Sequence, residues 1–253
     1  GENDIKELRT FTDLEYSKSN ALSAIDWVPG SASSLGVSVV KNLNFDERVN
    51  VSGQVDRAFI LLWDFGDLIH PQLKLQAPKE VFCFRFNPTE PMMVVGGLLS
   101  GQVALWDLKE SMALLGARRR RSNRKGAKSS RDKGTAEEEL LPPVDVCALS
   151  TIDASHKRIV ADLVWLPWDI QVDSRGALLP KDRLVPEKSF QFITVASDGQ
   201  LLVWDTRFEE IMRGNMPWLA KPRAKPGAAA NDNESEDKKG KVPWLPPPSL
   251  EFE

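Results

Sequence analysis

The chain has two cysteines, two histidines and no apolar run near the roughly 18 residues that a membrane-spanning helix needs. Cys83 and Cys147 stand far apart in apolar stretches. No disulfide framework is therefore expected, and both read as small buried hydrophobes of a reducing compartment such as the cytoplasm. Adding His70 and His156 does not yield a zinc-ligand cluster, and no cofactor is expected. A Gly-rich phosphate loop, a Gly-x-Ser-x-Gly elbow and a His-based triad are also missing; Gly96, Gly97 and Gly101 read as turn glycines beside strands. These absences argue against an enzyme. Gly1-Glu2-Asn3-Asp4 has no basic n-region leading into an apolar h-region, so no secretory signal is read there. The first residue is not Met, so the expectation is a fragment or a processed product.

What is present is a chain of 253 residues, 42% hydrophobic and 27% charged, enough to build a packed core. Its net charge of −3 is unevenly spread. From Ala117 to Lys133 there are nine Lys or Arg and one acid, a local charge of +8, which leaves −11 on the remainder. An acidic body thus carries one strongly basic segment.

The main signal is a repeat. Three Trp-Asp pairs each close an apolar run: Phe59 to Trp63-Asp64, Val103 to Trp106-Asp107, and Leu201 to Trp204-Asp205. Upstream of each stands an apolar segment with an aromatic shortly before proline: Ile25-Asp26-Trp27-Val28-Pro29, Phe84-Arg85-Phe86-Asn87-Pro88 and Leu163-Val164-Trp165-Leu166-Pro167. Between them lie further β-like runs, Leu35 to Val40, Met92 to Gly96 and Phe190 to Ala196. Trp63 and Trp106 are 43 residues apart, within the about 40–45 of a WD repeat. Trp106 and Trp204 are 98 apart, and two unpatterned insertions, 109–141 and 169–187, account for nearly all the excess. The first unit holds its surplus in the polar stretch 43–57.

This pattern predicts an all-β fold, a WD-repeat β-propeller of which about three blades are present. Propellers need about 4–8 blades, so the ring is incomplete and the remainder is expected elsewhere in the polypeptide. Each blade is covered by its neighbours on both faces, which explains apolar runs in place of clean alternation. Residues 1–20 read as an extended lead-in, 20–108 as two blades, 109–141 as a basic low-complexity insertion, 142–208 as the third blade with a loop at 169–187, and 209–253 as a Pro/Trp-rich tail. The residues assigned to blade structure are Trp27, Trp63, Asp64, Phe86, Trp106, Asp107, His156, Trp165, Asp198, Trp204 and Asp205. A well-formed WD unit joins a His before the first strand, a Ser or Thr on the second, and an Asp in the following turn. His156 and Asp198 stand in place for the third unit, but Ala196 occupies the position expected to carry the hydroxyl, and the second unit has Ser100 where the Asp would be. The buried polar networks are expected to be incomplete.

The words inside the repeats are more specific than the repeat. Phe11-Thr12-Asp13-Leu14 leads into the first unit, and His70-Pro71-Gln72-Leu73 follows it. Gly101-Gln102-Val103-Ala104-Leu105-Trp106-Asp107 closes the second, and His156-Lys157-Arg158-Ile159-Val160-Ala161-Asp162-Leu163-Val164-Trp165 opens the third. The series resembles the propeller of dynein intermediate chains, most of all the WD-repeat intermediate chain of the two-headed inner arm, dynein f, of motile cilia and flagella. It is dense over residues 8–108, resumes over 144–208, and leaves out the basic segment and the tail. The resemblance implies a non-catalytic scaffold of the axoneme. Such propellers grip a dynein heavy-chain tail, pair with a second intermediate chain, and help anchor the arm on the doublet microtubule. Light chains are bound through an N-terminal extension that this sequence does not include.

The basic tract, Arg118, Arg119, Arg120, Arg121, Arg124 and Lys125, reads first as a solvated loop. Its functional readings are contact with an acidic protein surface, or a nuclear or ribosome-associated scaffold touching RNA. With no aromatic in it to stack on bases, nucleic acid is the weaker reading. The tail segments Met216-Pro217-Trp218-Leu219 and Val242-Pro243-Trp244-Leu245 cannot be central strands, because Pro lacks the backbone donor. They read as extended pieces on the rim or leading into a fourth blade.

Overall fold

The computed structural model describes residues 6–13, 15–44, 46–47, 57–126, 142–217, 219 and 244–245. Strands β1 (Asn20–Trp27), β2 (Ser34–Lys41), β3 (Ala58–Asp64) and β4 (Leu73–Ala77) form an antiparallel sheet in that order. A second sheet orders β5 (Val81–Phe86), β6 (Met93–Leu98), β7 (Val103–Asp107) and β8 (Ala148–Ser150), with β12 (Trp244–Leu245) pairing outside β8. The third consists of β9 (Val160–Trp165), β10 (Gln191–Ala196) and β11 (Leu201–Asp205). Three blades of a WD-repeat propeller are therefore present, and no closed ring is formed among the described residues. Trp63, Trp106 and Trp204 fall on β3, β7 and β11, the third strand of each sheet.

A feature not read from the sequence repeats in all three sheets. On the first strand of each sheet the pairing register skips one residue, Ser23, Phe82 or Ala161, at equivalent positions three residues before Asp26, Arg85 and Val164. Such a bulge bends the strand and strengthens its twist, which lets inner strands crowd toward a common axis.

Successive residues of a strand join different core clusters, as a period of two requires. Ile60 and Leu62 of β3 join Leu73, Leu75, Phe84, Val94 and Trp106 in one core cluster. Leu61 and Trp63, the alternate residues of β3, belong to another cluster with Leu35 and Val39, against which Phe11 and Tyr16 pack. On β7, Ala104 and Trp106 point into the first cluster, while Val103 and Leu105 join Leu163, Trp165, Phe192 and Trp204. The second sheet therefore turns its Trp-bearing face to the first sheet and its other face to the third, and the third turns its Trp-bearing face to the second. Gly36 lets this approach happen at the first seam: a Cβ there would lie 2.9 Å from the Phe84 ring.

Two of the sequence assignments are corrected. Residues 109–126 are not loop but an α-helix, α1 (Lys109–Gly126). Met112 and Leu115, three apart, pack against the first core cluster, and Ala, Leu, Met and Arg are strong helix formers. The basic run conceals this amphipathic start. Likewise Ala148–Ser150, placed by sequence in the third unit, is the fourth strand of the second sheet, through Ala104↔Leu149 and Leu105↔Ala148. On its way there the chain runs parallel to β4: Gln76 N–H donates to Val144 O at 2.8 Å, and Val144 N–H to Lys74 O at 2.7 Å. It thereby covers the edge of the first sheet before joining the second.

The 169–187 insertion is also tied down. Gln191 Nε2 donates to Val172 O at 2.9 Å and to Asp205 Oδ2 at 2.9 Å, while Arg207 Nη2 reaches buried Gln171 Oε1 at 2.8 Å. A short helix, α2 (Phe208–Met212), follows β11.

Candidate interaction site

In the third sheet four side chains meet in one buried network. His156 Nδ1 lies 3.1 Å from Asp198 Oδ2, His156 Nε2 lies 2.8 Å from Thr194 Oγ1, and Trp204 Nε1 donates to the same Oγ1 at 2.8 Å. With Nδ1–H given to Asp198, Nε2 accepts the Thr194 proton, which leaves Oγ1 free to accept from the indole. The hydroxyl comes from Thr194 and not from position 196, so this network is complete where the sequence reading expected a gap. Thr194 pairs across to Leu202 while Phe192 pairs to Trp204, and the alternation puts Thr194 on the tryptophan's face. Burial alone would raise the Asp198 carboxyl. Hydrogen bonds from the Lys157 and Gln200 amides, and from His156, outweigh it and hold Asp198 below its ordinary value.

The second sheet lacks this device. Gly96 occupies the register position of Thr194, opposite Ala104, and Trp106 instead donates its indole N–H to Gln76 O of the first sheet at 2.8 Å. Trp165 Nε1 reaches Arg85 O at 3.4 Å, and Phe86 N–H donates to Asp26 Oδ2 at 2.8 Å. These bonds cross between sheets and fix their relative placement. Trp27 differs: its Nε1 donates to Ser31 O at 2.7 Å, and its ring is exposed. The aspartates after the strand tryptophans hold turns. Asp64 accepts from Ser33 Oγ and Gly66 N–H, Asp107 from Lys109 N–H, and Asp205 from Arg207 N–H and its guanidinium.

Gly101, in the β6–β7 turn at φ +84°, abuts the third unit: a Cβ there would lie 2.1 Å from His156 O. The turn of one blade is thus seated on the backbone that carries the next blade's histidine. Cys83 is buried and its thiol is pushed up to about 12. Cys147, expected buried, is an exposed residue just before β8, though its Sγ lies 3.2 Å from Leu105 O and burial of the thiol pushes it up to about 11. Neither is an activated nucleophile. Among the described residues no group of three or more His, Cys, Asp or Glu could hold a metal ion, and no helix is long and apolar enough to cross a membrane.

Arg118, Arg119, Arg120, Arg121, Arg124 and Lys125 all fall within the second half of α1. Arg118 is half-buried and Arg120 exposed; the side chains of the other four lie outside the described residues. Within the lead-in, Phe11, Asp13, Tyr16 and Ser17 are described, and Phe11 and Tyr16 pack on the first sheet. Phe11 packs edge-on to Trp63 at 5.5 Å, and Lys74 Nζ donates to Tyr16 OH at 2.7 Å. Asp13 carboxylate oxygen Oδ2 accepts the amides of Tyr16 and Ser17 at 2.6 and 2.7 Å.

A family model described as the WD40 domain of dynein axonemal intermediate chain 3 matches residues 3–221. The chain is 33% identical over 213 residues to dynein axonemal intermediate chain 3 of Danio rerio, a match covering 83% of this chain and 21% of that protein. The corresponding human protein is 30% identical over 211 residues, covering 80% and 23%. Human cytoplasmic dynein 2 intermediate chain 2 is 28% identical over 154 residues, covering 58% and 20%. The chain thus spans about a fifth of the length of these relatives.

Proposed function

This chain belongs to the WD-repeat dynein intermediate chain family, and from that premise we propose that it is a non-catalytic scaffold in an axonemal inner-arm dynein. Its blades grip the heavy-chain tail, pair with a second intermediate chain, and help hold the arm on the doublet microtubule of a cilium or flagellum; light chains complete the assembly. The observation that carries this reading is the family match across residues 3–221, which takes in β1 to β11. The geometry is suited to the role. Buried clusters and cross-sheet hydrogen bonds make a stiff platform, and an acidic body holds one basic helix at its surface. We assign Arg118, Arg119, Arg120, Arg121, Arg124 and Lys125 to partner contact, and Trp27, Trp63, Asp64, Phe86, Trp106, Asp107, His156, Trp165, Asp198, Trp204 and Asp205 to keeping the blades in shape. Immunoprecipitation of the native protein from axonemal salt extracts tests the reading. Recovery with dynein heavy chains is expected; ribonuclease-sensitive complexes without heavy chains would replace it with the RNA-binding alternative.

A further inference from the structure

Among the described residues Lys74 is the one Lys or Arg that is buried, with 9% of its surface exposed. A buried ammonium ordinarily faces a carboxylate, because an unpaired charge is costly away from water. Here the partner is Tyr16 instead. Lys74 Nζ donates to the phenol oxygen at 2.7 Å and stands 4.7 Å from the centroid of the ring. Among the described residues Lys74 forms no ion pair.

Tyr16 is the chain's single tyrosine. It is half-buried, and its ring packs edge-on to Phe59 at 5.1 Å. Burial raises the phenol above its ordinary value; Glu15 adds to this and Lys74 opposes it, so these are the two charges that act on the oxygen. The segment that brings the phenol to Lys74 is lightly held. Residues 6–10 are exposed and belong to no helix or strand. Among the described residues, one backbone hydrogen bond ties residues 6–16 to the first sheet, from Thr12 N–H to Leu68 O at 3.0 Å. Few contacts of this kind mean a low cost of local opening, which presents Tyr16 on an extended chain.

We propose that Tyr16 is a phosphorylation site and that Lys74 receives the phosphate, fastening the lead-in to the first sheet. A tyrosine kinase carries out the transfer. The phenol oxygen bonds to the γ-phosphorus of a nucleoside triphosphate, and the bond to the bridging oxygen breaks. The diphosphate leaves with that electron pair, and the phenolic proton passes to the enzyme's base. The product carries about −1.5 to −2 at pH 7. It stands beside a buried cation that has no carboxylate, so a neutral acceptor is exchanged for a charged one and the bond strengthens about twofold. Lysine suits the task as a compact charge on a flexible stem. Glu15 works against it, but Glu15 is exposed, and solvent and salt screen its repulsion more than they screen the attraction of Lys74. The site is independent of the dynein role, since it rests on the contacts of the lead-in alone.

The test is to treat the intact native polypeptide with a broad-specificity tyrosine kinase and ATP, and to locate the acceptor by peptide mass spectrometry. Tyr16 should take up phosphate, and Tyr16→Phe should remove that signal. Amides of residues 11–20 should then exchange several-fold more slowly than in the unmodified protein. Phosphorus NMR reads the role of Lys74. A nearby ammonium favours the dianion, so the second ionisation of the phosphate should rise by about one pH unit in Lys74→Met. Lys74→Arg keeps a cation in place and should stay near the parent. Absence of phosphate on Tyr16 would overturn the proposal, and so would equal ionisation in the parent and Lys74→Met. Unchanged or faster exchange of the lead-in after phosphorylation would overturn it as well, and that comparison needs no variant to fold.

Discussion

Thr194 serves two partners with one hydroxyl, and that economy makes it sensitive. Thr194→Val keeps the volume but strands His156 Nε2 and Trp204 Nε1, both in buried surroundings. Leaving a buried polar group unmatched costs about 1–3 kcal/mol, so a urea melt of the variant should show that loss, while Thr194→Ser should recover most of it. Equal midpoints for Val and Ser would show that the network contributes nothing. Trp106 is the fully buried tryptophan of the first seam, and Trp106→Ala should cost about 3–5 kcal/mol. An unchanged melting temperature would mean that Trp106 does not sit between sheets. Asp198 adds a pH dependence. Its carboxyl is held below the ordinary 3.8, so the folded state binds the proton less readily than the unfolded one. The stability it confers is present above that ordinary value and is lost as pH falls through the lower, folded one. Asp67, lowered by the Ile69 amide above all, acts in the same direction. Denaturation midpoints at pH 7 and near pH 3 should differ less in Asp198→Asn than in the parent protein; an identical difference would remove Asp198 from the account.

At the scale of elements, the seams depend on a few places where backbone meets backbone. Gly101→Ala forces a side chain into a left-handed turn, at about 1–3 kcal/mol, and drives its Cβ into the His156 carbonyl, at about 1–3 kcal/mol more. Because Gly101 lies in the second sheet and His156 begins the third, the variant should loosen the third sheet selectively. Hydrogen exchange of β9–β11 amides should quicken while those of β1–β4 stay as they were; uniform quickening would contradict this. The strands bearing Trp63, Trp106 and Trp204 were legible because a run buried on both faces must be apolar throughout. Thr194 was missed because the pattern looked for a hydroxyl at position 196, whereas what matters is which residue stands beside the indole across the ladder. The first turns of α1 were missed for a different reason: Met112 and Leu115 are two apolar positions ahead of a run of arginines, too few for periodicity to stand out. Ala148–Ser150 is three residues long and takes its place from β7 across an intervening insertion, information that no local window contains.

On the scale of the whole molecule, the charge distribution is the feature most open to test. A body of −11 carries, between the third and fourth strands of its second sheet, a helix whose last half holds six cations. Cations near a helix C-terminus are favoured by the dipole, but at i,i+3 and i,i+4 spacing they repel one another, so a carboxylate-rich partner would relieve the repulsion as it docked. Anchoring by Met112 and Leu115 fixes where the helix leaves the blade, which makes the cations directional and not merely a diffuse cloud. Substituting Gln for Arg118, Arg119, Arg120, Arg121, Arg124 and Lys125 together keeps good helix formers in place while removing the charge. The variant should fold as the parent does, but a smaller fraction should co-sediment with dynein heavy chains at low ionic strength. The deficit should shrink as salt rises through about 0.1 M, where the screening length falls to about 10 Å and the parent loses the same attraction. If the variant enters the complex as fully as the parent at low salt, the tract is a solvated helix end and the contact lies elsewhere on the blades. If it is deficient at every salt concentration, shape and not charge is what the partner reads.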